Sequence, residues 1–163
     1  MPKFYILKAS EGNVSRNNVR AVFPSGIMDT SDYGKLVTIS SGGIELMAAA
    51  SSDVGVAESV AMYGILRGLP NGKTTAGSSQ YVIFTPVQVG DVLDCKQSSD
   101  AVGSSDIGKQ LPLGTANAVG ISMSTVGTVL TMGGLFGVLT GVESSNRCTV
   151  QVVGVRTIKL TTA

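Results

Sequence analysis

The sequence predicts an all-β fold, an antiparallel β-sandwich or β-barrel with at most one short helix. Three observations carry this. Short runs rich in Val, Ile, Thr, Tyr and Phe recur at the roughly 8–12-residue spacing of strands. Gly and Ser stand between the runs, as turns require. Nowhere do strand-like runs alternate with helical ones, which disfavours a βα fold.

The elements follow in order. Lys3–Lys8 is a compact β-prone run bounded by Glu11-Gly12-Asn13, and Asn13–Asn18 reads as a polar loop. Val19–Phe23 is short and extended, stopped by Pro24-Ser25-Gly26. Lys35–Ile39 alternates, Ser40–Gly43 turns and Ile44–Met47 returns, which predicts a hairpin. Ala48–Met62 is the one stretch able to hold a helix, near Asp53–Met62, with Ser52 or Asp53 as N-cap. Val54, Gly55 and Val56 weaken it. Tyr81–Val89 is strongly β-branched, and Pro86 within it predicts an edge strand or a bulge. Asp91–Cys95 follows a tight Gly90-Asp91 turn. Short runs such as Gly127–Met132 and Gly134–Val138 come next, and Cys148–Val153 and Val155–Leu160 close the chain as two strands. The expected organisation is an N-terminal arm with the first short strands over residues 1–34, then an all-β domain over 35–163.

Composition narrows the function. The chain has 163 residues, 12 basic against 11 acidic, so no basic excess marks a nucleic-acid binder. Only 14% of residues are charged, where about 25% is ordinary. Either lipid or other protein covers such a surface. Gln110–Val142 carries no charge, but Thr115, Asn117, Ser122, Thr125 and Thr128 interrupt it and glycines punctuate it, unlike a spanning helix. No membrane span is expected. Met1-Pro2-Lys3 leads to a short apolar run and Lys8, not to a secretory signal, so Cys95 and Cys148 are expected to stay reduced and buried.

The candidate chemical motifs fail on spacing. Gly68-Leu69-Pro70-Asn71-Gly72-Lys73-Thr74 looks like a phosphate loop, but one residue is missing between the glycines and a β run follows instead of a helix. Asn71-Gly72 reads better as a tight turn. Asp29 with Asp32, and Asp91 with Asp94, have no closing glutamate for calcium and are expected to be surface turn residues. Histidine is absent, so a Ser-His-Asp arrangement cannot exist. The expectation is no enzyme, no catalytic residue, no metal and no cofactor. Ser51-Ser52-Asp53-Val54-Gly55, Ser98-Ser99-Asp100 and Ser104-Ser105-Asp106-Ile107-Gly108 echo one another at irregular spacing, and turn chemistry accounts for them better than a repeated binding loop.

With chemistry set aside, the texture points to a structural protein. The Gly/Ser/Thr/Val/Ala-rich composition, the lack of His and Trp and the strand entry Val89-Gly90-Asp91-Val92 resemble the small head decoration, or cement, proteins of tailed bacteriophages. So do the Gly-Val steps at Ala118-Val119-Gly120-Ile121, Phe136-Gly137-Val138-Leu139 and Val153-Gly154-Val155. The likeness spreads over residues 35–163. It implies an all-β, commonly homo-oligomeric virion protein, made in the host cytoplasm, that binds the major capsid protein on the capsid exterior and reinforces the shell. It implies no nucleic-acid or membrane partner. Lys3, Phe4, Tyr5 and Ile6 are the expected partner-contact residues, as an arm adding a strand to a partner sheet. The alternative is that Phe4 and Ile6 belong to the core. The alternative functions are another virion component (tail or fibre) and a small β-barrel ligand-binding module.

Overall fold

The computed structural model describes residues 4–9, 19–21, 24, 26–40, 43–46, 62–78, 80–97, 102–112, 116–117, 120–121, 135–144 and 146–153. They form antiparallel sheets, including a half-barrel, and no helix of seven or more residues. The strands of the first half are β1 (Phe4–Lys8), β2 (Val19–Ala21), β3 (Met28–Asp29), β4 (Leu36–Ser40), β5 (Gly43–Leu46), β6 (Met62–Gly68), β7 (Thr75–Ala76) and β8 (Val82–Pro86). Those of the second are β9 (Val92–Lys96), β10 (Gln110–Pro112), β11 (Ala116–Asn117), β12 (Gly120–Ile121), β13 (Leu135–Ser144) and β14 (Arg147–Val152). Two single 3₁₀ turns, Thr30–Asp32 and Ser104–Asp106, precede β4 and β10.

One five-stranded sheet runs β1-β9-β14-β13-β10 and the other β2-β8-β6-β4-β5, with small ribbons β3-β7 and β11-β12 beside them. The hairpin expected over 35–47 is β4 and β5, paired from Val37↔Leu46 to Ser40↔Gly43. The Asn71-Gly72 turn is present, with Lys73 N–H donating to the Pro70 carbonyl at 2.9 Å and Gly72 at φ 74°. Pro86 corrects one expectation. β8 lies inside its sheet, between β2 and β6, and Pro86 is tolerated because it is the last residue of the strand. The bulge sits on the neighbour instead, between Leu66 and Gly68 of β6. The expected helix near Asp53–Met62 lies outside the described residues, except that Met62 opens β6. Gly127–Met132 and Val155–Leu160 also lie outside them.

Alternation along the strands builds two cores. Phe4, Leu93, Cys95, Leu111, Leu139, Cys148 and Val150 share one face of the first sheet. Leu36 and Ile65, from the back of the second sheet, complete that cluster. On the other side of the second sheet, Val37, Ile44, Leu66, Val82 and Phe84 pack with Met28, Leu69 and Ala76. The second sheet thus buries apolar side chains on both faces, while its Leu36 face also carries buried Thr38 and Thr85 and exposed Glu45 and Arg67.

The two sheets repeat one another. β2-β8-β6-β4 and β9-β14-β13-β10 have the same strand order, the first strand in sequence pairing with the last. The registers coincide: Leu66↔Phe84 and Phe84↔Val19 match Leu139↔Val150 and Val150↔Leu93, while Leu36↔Ile65 matches Gln110↔Val138. The sequence repeats with them. Met62-Tyr63-Gly64-Ile65-Leu66-Arg67-Gly68 corresponds to Leu135-Phe136-Gly137-Val138-Leu139-Thr140-Gly141, and Thr30-Ser31-Asp32-Tyr33-Gly34-Lys35 to Ser104-Ser105-Asp106-Ile107-Gly108-Lys109. The described residues thus contain two copies of one four-stranded unit. Where the copies differ, burial explains it. Leu36 and Thr85, on the buried back of the first unit, correspond to Gln110 and Gln151, which are exposed on the back of the second.

Candidate functional site

Each unit opens with the same turn. Tyr33 (φ −56°, ψ 135°) and Ile107 (φ −58°, ψ 131°) are followed by Gly34 at φ 79° and Gly108 at φ 91°. These angles define a type II turn, which requires positive φ at its third residue and therefore favours glycine. The turn bond runs from Lys35 N–H to the Asp32 carbonyl and from Lys109 N–H to the Asp106 carbonyl, both 3.0 Å. Asp32 Oδ2 accepts the Asp29 N–H at 2.9 Å, and Asp106 Oδ2 accepts the Gly103 N–H at 2.8 Å. The remaining oxygen of each carboxylate takes the lysine ammonium, Lys35 or Lys109, at 2.5 Å. The Lys109 bond, then the Gly103 N–H, holds the Asp106 carboxyl below its ordinary value. Both turns are stitched to the centre of the sheet: Gly34 N–H donates to Leu66 O, and Gly108 N–H to Leu139 O.

The turn chemistry expected of Ser104–Gly108 is therefore present, but its twin is Thr30–Lys35. Ser51–Gly55 and Ser98–Asp100 lie outside the described residues. A third type II turn, Gln88-Val89-Gly90-Asp91, has Gly90 at φ 92° and Asp91 N–H donating to Gln88 O at 3.1 Å. All three tips expose a large apolar side chain: Tyr33 at 40%, Val89 at 52% and Ile107 at 49%.

A polar cluster lies on the face of the first sheet opposite the first core. Register places Tyr5 beside Asp94 and Asp94 beside Thr149, and Arg147 shares that face two residues along. Asp94 Oδ2 accepts from Tyr5 Oη at 2.7 Å, and Oδ1 from Arg147 Nε at 2.5 Å with Nη2 of the same guanidinium also in contact. The guanidinium carbon stands 5.7 Å from the centre of the Tyr5 ring. Donation to Asp94, more than desolvation, raises the Tyr5 phenol above its ordinary pKa. Both carboxylate oxygens are occupied, so the cluster fastens β1 to β9 and β14 and leaves no free base. Asp32, Asp91 and Asp94 correct the expectation of surface aspartates: all three are buried, Asp91 accepting the Gln88 N–H at 2.8 Å.

Of the expected contact residues, Lys3 lies outside the described residues. Phe4 is fully enclosed in the first core, Ile6 packs against it and Tyr5 belongs to the polar cluster. Phe4 burial alone is worth about 3 kcal/mol, which any detachment of β1 toward a partner has to recover. Arg147 has no local signal in the sequence, which places Asp94 at the surface and does not single out Tyr33 or Ile107. The signal for the last two was the repeated Ser-Asp-x-Gly-Lys, visible once the right segments are compared. Among the described residues, no group of three or more His, Cys, Asp or Glu is placed to hold a metal ion.

Cys95 and Cys148 are free and buried, directly opposite each other on β9 and β14. Val152 N–H bonds to Asp91 O and Gln97 N–H to Asn146 O, which by alternation makes Cys95↔Cys148 a hydrogen-bonded pair. Opposed Cβ atoms there stand about 5.5 Å apart, beyond the roughly 4 Å a disulfide needs. Desolvation raises both thiols, Cys95 well above the ordinary 9.0 and Cys148 to about 11. In native protein at pH 8, neither thiol is expected to react with a thiol-disulfide dye, and both should react after denaturation. The sign of the linkage follows: stability is full below the unfolded thiol value of 9.0 and falls as pH rises toward about 11, because only the unfolded state ionises there. Chemical denaturation across pH 8–11 checks it.

Set against protein-family models, curated proteins and solved structures, the chain matches none.

Proposed function

We propose that this protein is a structural component of a virion, a decoration or cement protein that binds the major capsid protein on the outer surface of the shell and reinforces it. The reading makes it non-enzymatic, free of cofactor and homo-oligomeric on the particle. One observation carries it: the chain exposes large apolar side chains on repeated turns while pairing its ions with each other, as in Asp32–Lys35, Asp106–Lys109 and Asp94–Arg147. A sparsely charged surface with apolar points suits broad contact with protein, because little charge must be desolvated on covering it. Many modest contacts on a repeating lattice then sum to firm attachment. The ligand-binding alternative fares worse, since Phe4, Leu93, Leu111, Leu139 and Val150 pack against one another on one face of the first sheet.

The test is the composition of particles purified from the virus that encodes the chain. Quantitative mass spectrometry is expected to find it in a fixed ratio near one copy per capsid subunit, and electron microscopy to place it on the shell exterior. Its absence from particles, or its confinement to the tail, overturns the reading.

A further inference from the structure

The two copies of the opening turn have the same residues for good local reasons, with one exception. Asp32 and Asp106 are needed to accept N–H groups and to pair with lysine, and Gly34 and Gly108 are needed for positive φ. Nothing in the turn needs a large apolar residue at its second position, where most residues fit. Tyr33 and Ile107 stand there all the same, about half in solvent, each beside a lysine already neutralised by its own aspartate. Sheet topology fixes where they lie. Gly34 O accepts the Phe4 N–H, so Tyr33 flanks the β1 edge of the first sheet; Gly108 N–H donates to Leu139 O, so Ile107 flanks the opposite, β10 edge. Phe4 pairs through Cys95 and Cys148 to Val142, three residues along β13 from Leu139, so the two tips are offset by about 10 Å along the strands. Five strands at about 4.8 Å spacing separate them by about 20 Å. A single small pocket cannot receive both.

We infer that Tyr33 and Ile107 are two equivalent contact points that together engage a protein surface presenting the same uncharged apolar patch twice, on two neighbouring subunits of a repeating shell. This rests on the proposed function and names the residues that carry it. Duplication of the unit gives one chain two like contacts, and like contacts suit like subunits. Neutralised turn ions match an uncharged patch and oppose a phosphate-rich or anionic partner. Engagement of the second tip is then intramolecular, so loss of either tip removes the gain from bivalency as well as its own contact.

The experiment uses the full chain, unmodified and as Tyr33→Ser, Ile107→Ser and the double variant, added to virus shells stripped of the protein. Thermal melting of each variant is measured alongside. Expected are unchanged melting, binding weakened at least tenfold by each single change to a similar degree, and no detectable binding by the double variant. Equal binding by all four proteins overturns the inference, and so does a loss confined to one tip. A variant that dissociates an oligomer in solution while binding shells normally assigns the tips to self-contact and overturns it too. Failure of the unmodified chain to bind shells is a different result, which sinks the proposed function itself. Should a serine variant melt early, Tyr33→Gln and Ile107→Thr replace it with the same expected losses.

Discussion

Replacing Arg147 by Met is expected to destabilise the protein by about 3–5 kcal/mol, because it breaks a buried ion pair. Asp94 is almost wholly buried, and Arg147 supplies Nε and Nη2 to its Oδ1. Removing the guanidinium leaves a carboxylate in the sheet with only the Tyr5 hydroxyl to serve it. Asp94→Asn alone is expected to cost less, because a neutral amide can still accept from Tyr5 while Arg147 reaches solvent along its stem. The double change Asp94→Leu with Arg147→Met should recover much of the loss, since an apolar pair replaces a desolvated ionic one. Urea denaturation of the parent and these three variants ranks the losses. If Arg147→Met unfolds within 1 kcal/mol of the parent, the pair is not what fastens β1 to β9 and β14. The same variant should push the Tyr5 phenol further up, read from its ultraviolet titration, because the bond to Asp94 remains while the lowering charge of Arg147 is gone.

How far the sequence revealed this fold depended on which signals are local. Strand runs and Asn-Gly or Gly-Asp turns are local, and β1, the β4–β5 hairpin, β9 and β14 were legible from them. β6 was missed because Gly64 and Gly68 break up its apolar run, and β13 was read as far too short because Gly137 and Gly141 do the same. Those glycines are strand residues because a neighbouring strand approaches them, a fact no local window contains. Pro86 misled in the opposite way, its place at the strand end being invisible until the partners are known. The duplication was present in the sequence all along, but comparing Ser-Ser-Asp triplets alone paired the wrong segments. Only Asp-x-Gly-Lys, with an exposed apolar x, distinguishes the two opening turns. The candidate contact points were therefore readable in principle, whereas the Asp94–Arg147 pair was not. Its members are far apart in the chain and meet only through register.

The glycines that hid β6 and β13 give the second large effect. Gly64 and Gly137 are twins, each facing the large residue that its unit places diagonally across, Phe84 or Val150. Alanine ordinarily improves a strand over glycine, because it reduces the freedom of the unfolded chain. Here the sign should reverse. A Cβ at Gly137 would stand 2.6 Å from the Gln151 carbonyl oxygen and closer still to Val150 Cγ1; one at Gly64 would overlap Phe84 Cδ2 and meet the Thr85 carbonyl only at 3.1 Å. Gly137→Ala is expected to cost about 3 kcal/mol or more, as overpacking against backbone with no rotamer to yield. Gly64→Ala should cost about 1–3 kcal/mol, because the clash is with a side chain. The difference in cause supplies a sharper test than either magnitude. Adding Phe84→Leu should return part of the stability lost in Gly64→Ala, whereas Val150→Ala should return little to Gly137→Ala, since the Gln151 oxygen remains. Denaturant midpoints of the two pairs decide it: equal rescue at both sites would mean that the strands can shift apart, and that close approach is not why glycine stands at these positions.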